Sequence, residues 1–132
     1  MARHNEIGKI GEDVATKWLS GRGHEIIERN YLKKFGEIDI VTRETSGITH
    51  FIEVKTVSYE TKSDLEYAVS HETWRPEENV HKNKIERFKR TIETWIIEHN
   101  LGHDWVIDII TVRVVPREKL ARVKFLENIV FD

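Results

Sequence analysis

The stretch "FGEIDIVTRETSGITHFIEVKT", residues 35 to 56, holds two runs of alternating apolar and polar residues around a Thr-Ser-Gly turn. A period of two predicts a β-hairpin, and its register matters, because a one-residue slip sends every side chain to the opposite face. A two-residue loop at Ser46-Gly47 sets Thr45 against Ile48 and Asp39 against Val54, so charged residues oppose apolar ones on both faces. A three-residue loop, Thr45 to Gly47, needs a left-handed residue at its last position, and glycine stands there. That register puts Glu44 opposite Ile48, Val41 opposite Phe51, Asp39 opposite Glu53 and Glu37 opposite Lys55, all on one face. Ile38, Ile40, Ile52 and Val54 take the other.

Two carboxylates facing each other across a ladder sit about 5 Å apart, which destabilises the pair unless something positive lies between them. Lys55 and a divalent cation are the two options. By strand rise Lys55 is roughly 6 to 7 Å along from Glu53, so it assists without bridging the pair. Val41 and Phe51 share the face, which is therefore partly covered. From the residues alone, a metal or catalytic site and an ordinary amphipathic hairpin explain the pattern equally well.

The rest of the chain narrows the setting. At 132 residues, a single domain spanning 1–132 is expected. No apolar run approaches the roughly 20 residues of a membrane span, and "MARHNEIGKIGEDVA" carries no hydrophobic secretory segment, so a cytoplasmic protein without membrane contact is expected. Cysteine is absent, which removes disulfides and thiolate zinc sites. Any metal must then be held by Asp, Glu, His or backbone carbonyls, a set that favours a hard cation. The histidines show no ligand spacing, and "HETWR" lacks a second histidine four residues on. A net charge of −2 argues against a protein that coats nucleic acid over its whole surface. Basic runs at 81–90 and 113–124 form either one positive face or two separate solvated faces.

Asn5 is the expected cap of a first helix with Ile7, Ile10, Gly11, Val14 and Trp18 on its stripe, Gly11 allowing another backbone close. "EIIERNYL" follows as a strand, then the hairpin, then a long loop over residues 58–78. Ile85, Phe88, Ile92, Trp95, Ile96 and His99 mark a second helix, closed by "NLGH". "DWVIDIITVRVV" and "ARVKFLENIVF" supply two more strands. The expected order is αβββαββ, an α/β mixed sheet flanked by helices.

Asp39 followed by Glu53-Val54-Lys55 on the next strand resembles the PD-(D/E)xK nuclease signature. "GKIGEDVATKWLSGRGHEIIERNY", "GEIDIV", "FIEVKT" and "IDIITV" resemble the successive motifs of the YraN-like family, for which endonuclease activity is expected, over most of residues 6 to 112. The plan is also similar to archaeal Holliday junction resolvases. The resemblance implies a restriction-endonuclease-like αβββαβ core with an extra C-terminal strand. It also implies Mg²⁺ as cofactor, with Mn²⁺ able to substitute, and branched or structured DNA as partner in repair or recombination. A homodimer, as in the resolvases, belongs to the same set of expectations. In that reading Asp39 and Glu53 bind the metal with the Val54 carbonyl as a further ligand, Lys55 assists the nucleophile, and Glu12, which matches the glutamate of the first-helix "GE" motif, is a catalytic residue that completes the metal shell or orients a metal-bound water. Glu37 would tune Lys55 from across the strands. Lys82, Lys84 and Arg87 are the expected phosphate contacts. The chain departs from the family at Val106-Ile107-Asp108, where an Arg-Phe-Asp run is common, and in its longer loop before the second helix. Two other readings stand beside this one. The first is a non-catalytic nucleic-acid-binding module that keeps the fold; the second is an interaction protein using Trp74 and Trp105.

Overall fold

The computed structural model describes residues 2–72, 82–102 and 104–129, without the side chains of residues 2–5. The first helix, α1, runs Ala2–Gly21, so Asn5 lies inside it and does not cap it. Ala15 and Leu19 are fully buried and Ile7, Val14 and Trp18 pack beside them, whereas Ile10 is 39% exposed and lies off the stripe. Gly11 is buried against β3, where a Cβ would lie 1.9 Å from Thr56 Oγ1 and 2.7 Å from Thr56 Cβ. A side chain at that position would push the helix off the sheet.

The strands are β1 (His24–Lys33), β2 (Gly36–Glu44), β3 (Thr49–Ser58), β4 (Trp105–Val115) and β5 (Leu120–Leu126), in spatial order β1-β2-β3-β4-β5. All neighbours are antiparallel except β3 and β4, which are parallel. The hairpin has the expected three-residue loop: Glu44 N–H donates to Ile48 O at 3.0 Å, and Gly47 takes a φ of 96°. The register follows, with Val41 opposite Phe51 and Ile40 opposite Ile52, but the β2–β3 ladder stops there.

The expectation for 58–78 is corrected. A short helix, α2 (Lys62–Ser70), lies inside it, capped by the Thr61 hydroxyl accepting from Asp64 N–H at 3.1 Å. Leu65 is its one buried residue, so no periodic stripe marks it in the sequence. Arg113 on β4 pairs with Glu72, and Tyr59 N–H donates to Val114 O at 2.8 Å, which fastens the segment to β4. Residues 73–78, Trp74 among them, lie outside the described residues.

The expected second helix is α3, Lys82–Glu98. It closes through a left-handed Asn100 (φ 50°), with Leu101 N–H donating to Ile96 O at 3.0 Å and Asn100 N–H to Ile97 O at 3.3 Å. Phe88, Ile92 and Trp95 bury its stripe against Phe51, Val41, Ile38 and Tyr31, while α1 covers Ile40, Ile52, Ile110 and Val112 on the other face. Burial of each large side chain in these two layers contributes about 1.5–3 kcal/mol. Trp95 Nε1 also donates to Glu28 at 2.9 Å. The whole is an α/β mixed sheet with an αβββαβ core and an extra C-terminal strand. Among the described residues no helix is long and apolar enough to cross a membrane.

The two basic runs do not make one face. Residues 82–90 of the first run lie on α3, over β2, whereas β5 forms the opposite edge of the sheet, and Arg113 is buried and pairs with Glu72.

Candidate functional site

Ile38 packs on the α3 side with Val41, not on the α1 side with Ile40 as plain alternation requires. Its neighbour across the ladder, Tyr31, does the same, although Arg29 two residues earlier reaches α1, with bonds to Glu12 at 3.3 Å and Asp13 at 2.8 Å. Both strands therefore change face at one level, that of Asn30 and Asp39. Asn30 makes this possible by adopting a φ of 54°, which asparagine tolerates better than most residues. The β2–β3 ladder ends at the same level. Asp39 thus stands at a fork in the sheet and lines two clefts, one toward α1 and one toward α3.

Across the fork, Asp39 Oδ2 accepts the Val54 N–H at 2.8 Å. Asp39 and Glu53 are close enough to interact electrostatically, yet they form no ladder pair. Burial pushes the Asp39 carboxyl up to about 8; the Val54 N–H opposes this, while Glu37, Glu53 and Glu12 reinforce it. Glu53 is held by Lys84 at 3.2 Å and by Lys55 at 3.6 Å. Burial, and then the neighbouring Lys84, lower the Lys55 pKa.

The expected site residues divide accordingly. Asp39, Glu53, Val54 and Lys55 converge at the fork. Glu12 faces Asp39 across the α1-side cleft, but its carboxylate turns to Arg29. Glu37 borders the α3-side cleft and acts on Asp39, whereas the carboxylate partner of Lys55 is Glu53. Lys84 is drawn inward to Glu53, Arg87 lines the α3-side cleft, and Lys82 is exposed at the helix start. Sequence reading missed Lys33 at the end of β1 and Lys34 in the β1–β2 turn, which line the same cleft; "LKKFGEID" carries that signal in the two lysines just before the acidic strand. It also missed Arg29, the partner of Glu12.

The donors at the fork are all oxygens, the set a hard divalent cation takes. Burial, reinforced by the neighbouring acids, holds the Asp39 carboxyl up at about 8, and a doubly charged ion would act in the opposite direction. Asp39 and Glu53 are the side chains that would hold such an ion.

Fold and fork together define an α/β protein with a half-buried cluster of acids and lysines where its central strands part. The chain belongs to the uncharacterised protein family UPF0102, the YraN family, whose family model matches residues 11–112. It is 36% identical over 124 residues to a UPF0102 protein of Campylobacter jejuni, covering 94% of this chain and 93% of the relative. It is 33% identical over 126 residues to a UPF0102 protein of Dictyoglomus turgidum (95% and 97%). A UPF0102 protein of Beutenbergia cavernae is 33% identical over 130 residues (98% and 99%).

Proposed function

We propose that this protein is a divalent-metal-dependent endonuclease that hydrolyses phosphodiester bonds in DNA, built as one PD-(D/E)xK nuclease-like domain. The observation that carries the reading is the fork itself: Asp39 bound to the Val54 N–H, with Glu53 and Lys55 beside it on the next strand. Asp39, Glu53 and the Val54 carbonyl would hold Mg²⁺ or Mn²⁺. When bound, the ion would acidify water and neutralise charge gathering on the phosphoryl oxygens.

The chain's own groups do the rest. Lys55, with its pKa lowered by burial, is suited to exchange a proton with the attacking water and to offset negative charge on the phosphoryl oxygens. Glu12 orients Arg29 at the rim of the α1-side cleft. Lys34 and Arg87 line the α3-side cleft, where they would bind the flanking phosphates. Clefts on both sides of Asp39 leave room for backbone on either side of the scissile bond, which suits branched or structured DNA in repair or recombination.

A second reading, a nucleic-acid-binding module with structural acids, draws on Lys84, which neutralises Glu53 without any ion. Incubation with duplex, single-stranded, flap and four-way DNA in Mg²⁺ or Mn²⁺, against EDTA, tests both. Metal-dependent cleavage supports the nuclease. Binding without cleavage on every substrate and with either metal leaves the module.

A further inference from the structure

We propose that His24, Glu44 and His50 form a second metal site, for Zn²⁺ or a similar borderline divalent ion, separate from the Asp39 fork. The three side chains come from the start of β1, the end of β2 and the start of β3, with His24 paired to Glu44 and His50 paired to Thr42 in the ladders. Glu44 is five residues along β2 from Asp39, about 17 Å by strand rise. No linear spacing announces the group, because strand pairing assembles it.

Each imidazole has one nitrogen already committed. His24 Nδ1 lies 2.7 Å from Thr42 Oγ1, and His50 Nδ1 bonds Asp108, whose other oxygen accepts the Asn128 N–H at 2.9 Å. Such outer partners fix the ring and the tautomer of a metal-binding histidine and leave Nε2 as the donor atom. Both Nε2 atoms lie near Glu44 Oε1, His50 at 2.9 Å and His24 at 3.7 Å. One ligand atom from each of the three residues lies within 4.8 Å of the others. Ligands of a tetrahedral ion with bonds of 2.0–2.1 Å stand about 3.3 Å apart, within the range seen here.

A second observation points to a ligand. His50 is 2% exposed, and its Nε2 makes no hydrogen bond, since Glu44 Oε1 is near but off the bonding axis. Two imidazole Nε2 atoms and a carboxylate oxygen thus converge on one point. Phe125 packs its ring against both histidines, with centroids 5.8 Å from His24 and 6.5 Å from His50. Glu44, at 31% side-chain exposure, leaves the solvent side open for an ion to enter and for a water to complete the shell. Two nitrogens and one oxygen suit zinc, cobalt or nickel and not magnesium. The competing occupant is a proton, which would make His50 an imidazolium held between Asp108 and Glu44.

Chelator-stripped full-length protein titrated with Co²⁺ separates the two. The expected result is saturation near one equivalent with the intense visible bands of a four-coordinate ion, displaced by Zn²⁺ and not by excess Mg²⁺. Zn²⁺ should also raise the melting temperature. Glu44→Gln, at a partly exposed position that tolerates the change, and His24→Gln should each weaken binding at least about tenfold. Asp39→Asn should leave it unchanged, which keeps this site distinct from the proposed nuclease centre. Absence of saturable binding by the wild-type protein overturns the proposal. So does wild-type affinity in both Glu44→Gln and His24→Gln, or loss of binding in Asp39→Asn.

Discussion

The Asp39 carboxylate accepts the Val54 N–H at 2.8 Å at the level where the β2–β3 ladder has ended, so a side chain takes over the joining of two strands from the backbone. That bond holds a half-buried acid beside other acids. Replacing Asp39 therefore does two separable things: it alters the join, and it removes charge.

Asp39→Asn keeps an acceptor for Val54 and removes the charge. In the metal-free folded protein the carboxyl titrates at about 8, against 3.8 in the unfolded chain. Between those values the folded state keeps a proton that the unfolded chain has released, so stability falls as pH rises, and the full penalty is present above the window. In EDTA the variant should match wild type near the acid end of the window. It should then gain on wild type toward pH 8, by about 1 kcal/mol or more. Added Mg²⁺ should raise the melting temperature of wild type more than that of the variant. Parallel melting behaviour of the two proteins at every pH and with metal would remove the metal site.

Under the nuclease proposal, Asp39→Ala and Glu53→Ala should each abolish cleavage. Lys55→Ala should lose cleavage but retain most of its DNA affinity, because its role concerns the water and the developing charge. Lys34→Ala with Arg87→Ala should weaken binding and reduce the salt slope by about 0.9 for each phosphate no longer neutralised. Binding isotherms at several salt concentrations, beside cleavage rates, check the assignment. The reverse pattern in the two variants would exchange the roles.

Gly11→Ala should destabilise the protein by about 1–3 kcal/mol, although alanine favours a helix by up to about 1 kcal/mol, because the new methyl collides with Thr56. Adding Thr56→Ala removes the two nearest atoms and should recover part of the loss in denaturant midpoint. If Gly11→Ala alone is as stable as wild type, the close approach of α1 to β3 is wrong.

How far the sequence can be read depends on how local each determinant is. The hairpin register follows from Gly47 and alternation, and both lie within the loop and its flanks. The end of α3 follows from Asn100 in the same way. The face change at Asn30 and Asp39 does not, because strict alternation is the assumption that it breaks; this is why alternation puts Ile38 on the wrong side. Helix α2 escapes because one buried leucine makes no period. His24, Glu44 and His50 escape because their grouping depends on two strand pairings, which residue spacing does not encode.

Asn30→Val should cost about 1–2 kcal/mol, since a β-branched residue resists a positive φ, while Asn30→Gly should be nearly neutral. Chemical denaturation of both variants checks this. Equal losses in the two would mean that the asparagine side chain, and not its backbone conformation, matters.

The parallel join of β3 to β4 has a consequence for the chain as it is made. Residues 59–104 separate the two strands, so α1 and the β1–β2–β3 meander leave the ribosome well before β4 exists. During that interval one edge of β3, "THFIEVKTVS", has no partner, and its β-branched and aromatic residues make it a ready template for another copy. A chain stopped at residue 72 should therefore aggregate, as read by light scattering, under conditions that keep the full chain dispersed. A dispersed fragment would show that the edge is protected by other means. The strand that carries Glu53 and Lys55 is thus the one most exposed to misassembly during synthesis, and the arrival of β4 ends that hazard.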